Sequence, residues 1–212
     1  IRISRFMPTT LSEFRRAAQQ LMWSQPAAIV LDLQHNPGGI LESATDIAAM
    51  MVSRGAVSRM EGRHPHATED FTAYGGDVFN SLPLYVLVDG HTASAAEVLA
   101  VALQDRNRAT ILGSTSFGKG SVQNVGPLPH GGELAVTWAR LFGPSGYSYH
   151  HQGVHPDLCL SRPGTTPASA ATALTSGSER APLLALQKQA MHDSAAESRL
   201  LALCPRSEDV EN

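Results

Sequence analysis

Two residues have the type and setting for covalent chemistry, Ser94 and Lys119. Ser94 sits where a small polar turn, Asp89-Gly90-His91-Thr92, gives way to the apolar run Ala93–Leu103. A serine at a strand-to-helix turn can direct its Oγ into a cleft. The next amide, that of Ala95, would stand at a helix N-terminus and could help hold an oxyanion. Lys119 lies between Gly118 and Gly120 in the loop Gly113–Gly120. Glycines permit backbone angles that can aim a flanked side chain inward. A lysine takes a serine proton only when it is neutral, and burial favours the neutral amine. Packing of that loop against Ala95–Leu103 would supply such burial. The pair therefore reads as nucleophile and general base. Each residue alone has a plainer reading, Ser94 as a helix N-cap and Lys119 as a solvated loop residue. Histidine is an alternative base, since the chain has nine, and His91 is the nearest to Ser94 in sequence.

The elements around these residues follow from hydrophobic patterning. The apolar runs Leu84–Val88 and Arg108–Leu112 read as strands flanking the Ala93–Leu103 helix, a parallel β-α-β unit. Such units place reactive groups in loops at the carboxyl ends of strands. A second unit precedes it. Ala27–Leu33 is nearly unbroken in apolar residues and predicts a strand covered on both faces. The turn Gln34–Gly39 follows, then a helix over Leu41–Ser53 with Leu41, Ala44, Ala48 and Met51 inward. In a parallel sheet the two turns share one edge. Ile1–Phe6 alternates like a half-buried strand. Thr10-Leu-Ser-Glu13 has capping-box spacing and opens a helix carrying Leu11, Phe14, Ala18 and Leu21 on one face, ended by Gln25-Pro26. Val57–Gly76 reads as polar and irregular. Glu133–Leu141 alternates as a strand, with Leu134, Val136 and Trp138 on one side. Gly143–Gly146 is a turn, and Tyr147–His151 starts a further strand. Arg162–Gly177 has linker composition. Ala181–Leu203 is predicted helical, with Leu183, Leu184, Leu200 and Leu201 available to pack.

Several function classes are disfavoured. Among 212 residues, 42% are apolar and 17% charged, and the net charge is −3. That balance lacks the basic surplus of a nucleic-acid binder. No apolar run reaches the ~18 residues of a membrane span. Gly113–Lys119 matches G-x-x-x-x-G-K, most of a phosphate-binding loop. Position 120 is glycine, however, and Gly126, Pro127 and Pro129 prevent the helix that motif requires. His64 and His66 form an H-x-H pair, and His150, His151 and His155 a second cluster. Neither has the third ligand or nearby carboxylate of a metal site, so no metal and no cofactor is expected. Cys159 and Cys204 could pair, but sequence does not place them within disulfide reach.

Taken in order, several segments resemble the C-terminal processing peptidases, also called tail-specific proteases. They are Leu31–Gly39 (LDLQHNPGG), Thr92–Glu97 (TASAAE), Ala102–Asp105 (ALQD), Phe117–Gln123 (FGKGSVQ), Gly143–Gly146 (GPSG) and Gly153–Asp157 (GVHPD). The resemblance covers roughly Ile1–Leu158, and the Ser94-to-Lys119 spacing is one the family uses. It implies an α/β, crotonase-like (ClpP/crotonase) core with β-α-β units and a serine–lysine dyad, Ser94 as nucleophile and Lys119 as base. Gln123 would orient the lysine amine. The oxyanion hole would be the Ala95 amide with that of Gly38 or Gly39. The implied activity is serine endopeptidase cleavage near the carboxyl termini of proteins, commonly outside the cytoplasm, in the periplasm or as a secreted enzyme. Substrates would bind as extended strands added to a sheet edge. The rival reading is a non-catalytic ligand- or peptide-binding module of the same fold. Two positions depart from the family pattern. Gln34-His35 stand where Arg followed by Asn or a variable residue is usual, and Ala96 replaces a common serine. The family usually carries a PDZ domain upstream, so the chain is expected to be a catalytic core cut from a longer protease. Its expected organisation is a peptidase core over 1–162, a linker-like segment over 163–180 and a helical tail over 181–212.

Overall fold

A computed structural model describes residues 1–162, 164–176 and 180–207. Helix α1 (Thr10–Trp23) is followed by β1 (Ile29–Asp32), α2 (Leu41–Met51), β2 (Gly55–Gly62), β3 (Glu69–Ala73) and β4 (Leu84–Val88). Helix α3 (Ala95–Asp105) leads to β5 (Thr110–Gly113), β6 (Ser121–Pro127), β7 (Glu133–Phe142) and the short β8 (Leu158–Cys159). Helices α4 (Pro167–Ser176), α5 (Arg180–Ala190) and α6 (Ser194–Leu203) complete the chain.

Two sheets result. The first is parallel, in the order β1-β4-β5-β8, and the second antiparallel, in the order β3-β2-β7-β6. The first sheet carries the two β-α-β units. Asp32 pairs with Leu87, and Val88 with Gly113, so the turns after β1, β4 and β5 emerge side by side. Helix α3 is buried from Ala95 through Gln104 and packs against α2 and β5. A helix apolar on all sides is at home only in such a core. Ala44, Ile47, Ala48 and Met51 of α2 meet it there. The mixed α/β architecture and the inner stripe of α2 agree with the sequence reading.

Several local expectations need correction. β1 is covered on one face only: Ile29 and Leu31 are buried, while Val30 is 47% exposed. The Ile1–Phe6 segment makes isolated parallel bridges, Arg2 with Asp32 and Phe6 with Gly39, and not a regular strand. Thr10 is the first residue of α1 and not its cap, and its Oγ accepts the Met7 amide at 2.8 Å. Val57–Gly76 holds the β2–β3 hairpin, whose polar composition reflects one solvated face. Tyr147–His151 forms no strand; Tyr147 and Tyr149 are buried from turns. The linker-like segment contains α4, and Gly177 lies outside the described residues. The predicted last helix is two, α5 and α6, because Asp193 caps a fresh start, accepting the Ala195 amide at 2.9 Å. Leu183 and Leu186 pack with Ala190, Ala196 and Leu200 in a small separate cluster; the Leu184 side chain lies outside the described ones.

The tail is fastened to the core. Cys159 and Cys204 form a disulfide. Beyond it, Arg206 Nε donates to the Ser116 carbonyl at 3.1 Å, and the Gly90 amide donates to Ser207 Oγ at 3.2 Å.

Candidate active site

The three turns on the first sheet's edge converge around Ser94. The backbone there has φ 56° and ψ −121°, a positive φ that a non-glycine residue adopts only under constraint, at a cost of ~1–3 kcal/mol. Neighbouring contacts impose it. The Ala93 amide donates to the Asn36 carbonyl at 2.9 Å. Gly38 lies so close that a Cβ there would stand 2.7 Å from Ser94 Cβ and 2.9 Å from the Ala95 nitrogen. The turn after β1 thus sits directly against the nucleophile candidate and the first amide of α3. Ser94 itself is partly exposed, as an attacking group must be.

Gly38 and Gly39 differ in availability. The Gly38 amide donates to Asn36 Oδ1 at 2.8 Å, so its hydrogen is already engaged. Gly39, at φ 137°, packs against the Phe6 carbonyl and is exposed.

Lys119 arrives from the other side. Its loop is pinned by the Phe117 amide donating to the Thr92 carbonyl at 3.0 Å, and by the Ser116 amide donating to the Val154 carbonyl at 3.1 Å. The flanking glycines allow close approach to the segment 150–153. A Cβ on Gly118 would fall 2.9 Å from the His151 carbonyl carbon, and one on Gly120 would fall 3.0 Å from the His150 nitrogen. The expected burial of Lys119 is not found; its side chain is exposed, as is that of Gln123 on β6. A register shift between Val122 and Gln123 disrupts the β6–β7 pairing, the kind of bulge that re-aims side chains beside functional sites.

The residue joining the two halves is Glu97. It is fully buried in the first turn of α3. Its Oε2 accepts the Ser94 amide at 2.8 Å and the Lys119 amide at 2.8 Å. Its Oε1 accepts the Gly118 amide at 2.7 Å and the Ser116 hydroxyl. One carboxylate therefore fixes the backbone of both dyad candidates. Burial pushes the Glu97 carboxyl from 4.5 up to about 7, against the opposing pull of these four hydrogen bonds. In the sequence Glu97 stands only as the last residue of the Thr92–Glu97 segment. The available signal was the spacing Ser94-x-x-Glu97, a capping-box pattern.

His64 and His66 stack on one another, with His64 also on Trp138, and the His66 amide donates to His64 Nδ1 at 3.2 Å. His155 is buried, with Nδ1 3.0 Å from Thr115 Oγ, and burial lowers its pKa to about 3. The phosphate-loop reading fails structurally too, because β6 and not a helix follows Lys119.

Comparisons with known proteins identify the family. The profile of "Peptidase family S41" matches residues 1–160. A carboxy-terminal-processing protease of Bartonella bacilliformis is 38% identical over 167 residues, covering 77% of this chain and 38% of that protein. A carboxyl-terminal-processing protease of Synechocystis is 38% identical over 163 residues, with the same two coverages. The solved structure of a photosystem II D1 C-terminal processing protease superposes with a TM-score of 0.68 at 36% identity, over 74% of this chain and 40% of that one. The chain thus spans about two-fifths of the length of the relatives it matches.

Proposed function

The chain belongs to peptidase family S41, and from that membership we propose that it is the catalytic core of a serine endopeptidase cleaving proteins near their carboxyl termini. The observation that carries this reading is the Glu97 carboxylate, which holds the Ser94 and Lys119 amides on one oxygen. Ser94 Oγ attacks the scissile carbonyl while neutral Lys119 Nζ accepts its proton. Gln123 orients that amine. The Ala95 amide and a glycine amide stabilise the oxyanion. Gly39 is the better second donor, since the Gly38 hydrogen is held by Asn36.

The exposure of Lys119 fits a site that substrate completes. An extended segment laid over the loop would exclude water, and burial of an amine favours its neutral form. β6 begins two residues after Lys119 and is an edge of the antiparallel sheet. Its unpaired backbone groups could receive a substrate strand. Residues 1–162 form the peptidase core in this reading, with 181–212 as a tail strapped to it across 163–180. The Cys159–Cys204 disulfide supports a location outside the cytoplasm, where such bonds persist. Among the described residues no helix is long and apolar enough to cross a membrane.

An active-site-directed serine reagent tests the proposal. Stoichiometric labelling that disappears in Ser94→Ala, together with cleavage of an unfolded protein substrate, is the expected result. Labelling that persists in Ser94→Ala, or a parent that neither labels nor cleaves, would refute it in favour of a binding module.

A further inference from the structure

The turns that build the site also bring together three metal-ligating side chains that the sequence keeps far apart. His35 follows β1, and Asp89 and His91 follow β4. One ligand atom of each lies within 4.8 Å of the other two. Among the described residues this is the one group of three or more His, Cys, Asp or Glu gathered this closely. We propose that His35, Asp89 and His91 bind a single transition-metal dication, zinc foremost, which clamps the turn after β1 to the turn after β4.

The carboxylate is built to serve as an anchor. Asp89 is buried, and its Oδ1 accepts the His91 amide and the Thr92 amide at 3.0 Å each, and the Thr92 hydroxyl at 3.1 Å. Donors of this kind fix a ligating carboxylate in orientation from outside the coordination sphere. Its Oδ2 accepts the His35 amide at 3.1 Å and lies 2.8 Å from the His35 Nδ1. The two imidazoles stand parallel, with centroids 4.8 Å apart and planes 12° from one another. Tetrahedral zinc, with bonds of ~2.1 Å, sets its ligand atoms roughly 3.4 Å apart. To reach that spacing the Asp89–His35 pair, now 2.8 Å apart, must open, and the two parallel rings must turn toward a common point. Both histidines are exposed, so an ion can enter from solvent.

The donor set selects the class of ion. Two neutral imidazoles and one carboxylate suit zinc, copper or nickel, whereas calcium and magnesium require a shell of oxygens. Three protein ligands leave a fourth position for water. The site stands apart from the proposed Ser94–Lys119 dyad. Its position gives it leverage. His35 adjoins the Asn36–Gly39 turn that rests on Ser94, and His91 lies on the turn leading to Ser94. An ion here would hold the oxyanion turn and the nucleophile turn at fixed separation without touching the reacting atoms.

The test uses protein stripped with chelator and then titrated with zinc by equilibrium dialysis, and with cobalt(II) by visible absorption. One zinc per chain should bind, the melting temperature should rise with zinc concentration, and cobalt should give the intense bands of a tetrahedral site. His35→Ala and His91→Ala should each weaken binding about tenfold or more, and the double variant should lose the cobalt bands. Asp89 is left intact because it organises the backbone of both turns. His64→Ala/His66→Ala controls for binding at other histidines and should bind like the parent. Circular dichroism confirms that each variant is folded. Undiminished zinc binding by the folded His35→Ala/His91→Ala protein, or absence of stoichiometric binding by the parent at sub-millimolar zinc, would overturn the proposal.

Discussion

Replacing Glu97 by glutamine separates two contributions that the buried carboxylate combines. Glutamine keeps one oxygen and puts an NH₂ group in place of the other. One pair of donors must then face that NH₂, either the Ser94 and Lys119 amides or the Gly118 amide and Ser116 hydroxyl. A buried donor left without an acceptor costs ~1–3 kcal/mol, so the pair costs about 2–6 kcal/mol. The substitution also removes a buried negative charge. The carboxyl titrates at about 7 in the folded protein against 4.5 ordinarily, and each unit is worth ~1.36 kcal/mol, so ionisation costs the folded state about 3 kcal/mol. At pH 8 the two effects largely offset, and stability at that pH alone decides nothing.

The pH dependence does decide. Between pH 4.5 and about 7 the folded protein binds more protons at Glu97 than the unfolded chain does, so its contribution to stability falls as pH rises. The contribution is complete below 4.5, is lost through the folded value near 7, and changes no further above it. The glutamine variant lacks this titration, and every other group is common to both proteins. Urea unfolding of parent and Glu97→Gln at pH 5 and pH 8 should therefore show the parent's advantage about 2–3 kcal/mol larger at pH 5. Cleavage at pH 8 should fall at least tenfold in the variant, about 1.4 kcal/mol of barrier, although its stability there changes little. An advantage independent of pH, or larger at pH 8, would show that the four hydrogen bonds dominate burial and would refute the reasoning.

Lys119→Arg should be nearly as inactive as Lys119→Ala in single-turnover cleavage, because arginine stays protonated at any usable pH. A folded arginine variant within about tenfold of the parent, roughly 1.4 kcal/mol of barrier, would remove Lys119 as the base and point to a histidine, His91 first. Gly38→Ala should lower kcat/KM at least tenfold and cost at least ~1 kcal/mol in stability, since φ is 98° and the new Cβ would sit 2.7 Å from the Ala93 oxygen. Thermal unfolding and kinetics on the same preparation check both effects. Cys159→Ser, or reductant added to the parent, should destabilise the protein by ~2–4 kcal/mol. It should also speed hydrogen exchange at the Gly90 amide, which donates to the tail's Ser207 hydroxyl; unchanged exchange would mean that the tail stays docked without the disulfide.

The parts of the fold legible in sequence were those with burial on every side. Leu84–Val88 is apolar throughout, and α3 largely so, because β4 lies between β1 and β5 and α3 packs against α2 and β5, so composition located the β-α-β unit. The convergence of the Gly38 and Ser94 turns followed from the direction of parallel strands. The β2–β3 hairpin was not legible because half its residues face water and its alternation is broken where Ala56 and Ser58 shift register. The cysteine pairing and the His35–Asp89–His91 cluster were hidden for a different reason. Each joins residues whose proximity exists only after the strands are ordered, and no local pattern encodes that. Glu97 stood in plain view but carried a local meaning, helix capping, that masked its long-range one.

That double use explains how the site can hold a strained serine. In an isolated helix, a capping glutamate would satisfy only the amide of its own cap, and a residue at φ 56° would relax. Here the same carboxylate also accepts from the Gly118 and Lys119 amides, so relaxation at Ser94 would disturb bonds in a loop formed after the next strand. The loop cannot follow, because it is held from outside as well. Arg206 grips the Ser116 carbonyl, and Thr115 Oγ donates to the Cys204 carbonyl. Strain of ~1–3 kcal/mol persists where its release would break several bonds of ~0.5–1.5 kcal/mol each, and these contacts meet that condition. The C-terminal segment, outside the stretch matched by the family profile, is on this argument part of what keeps the serine turn taut.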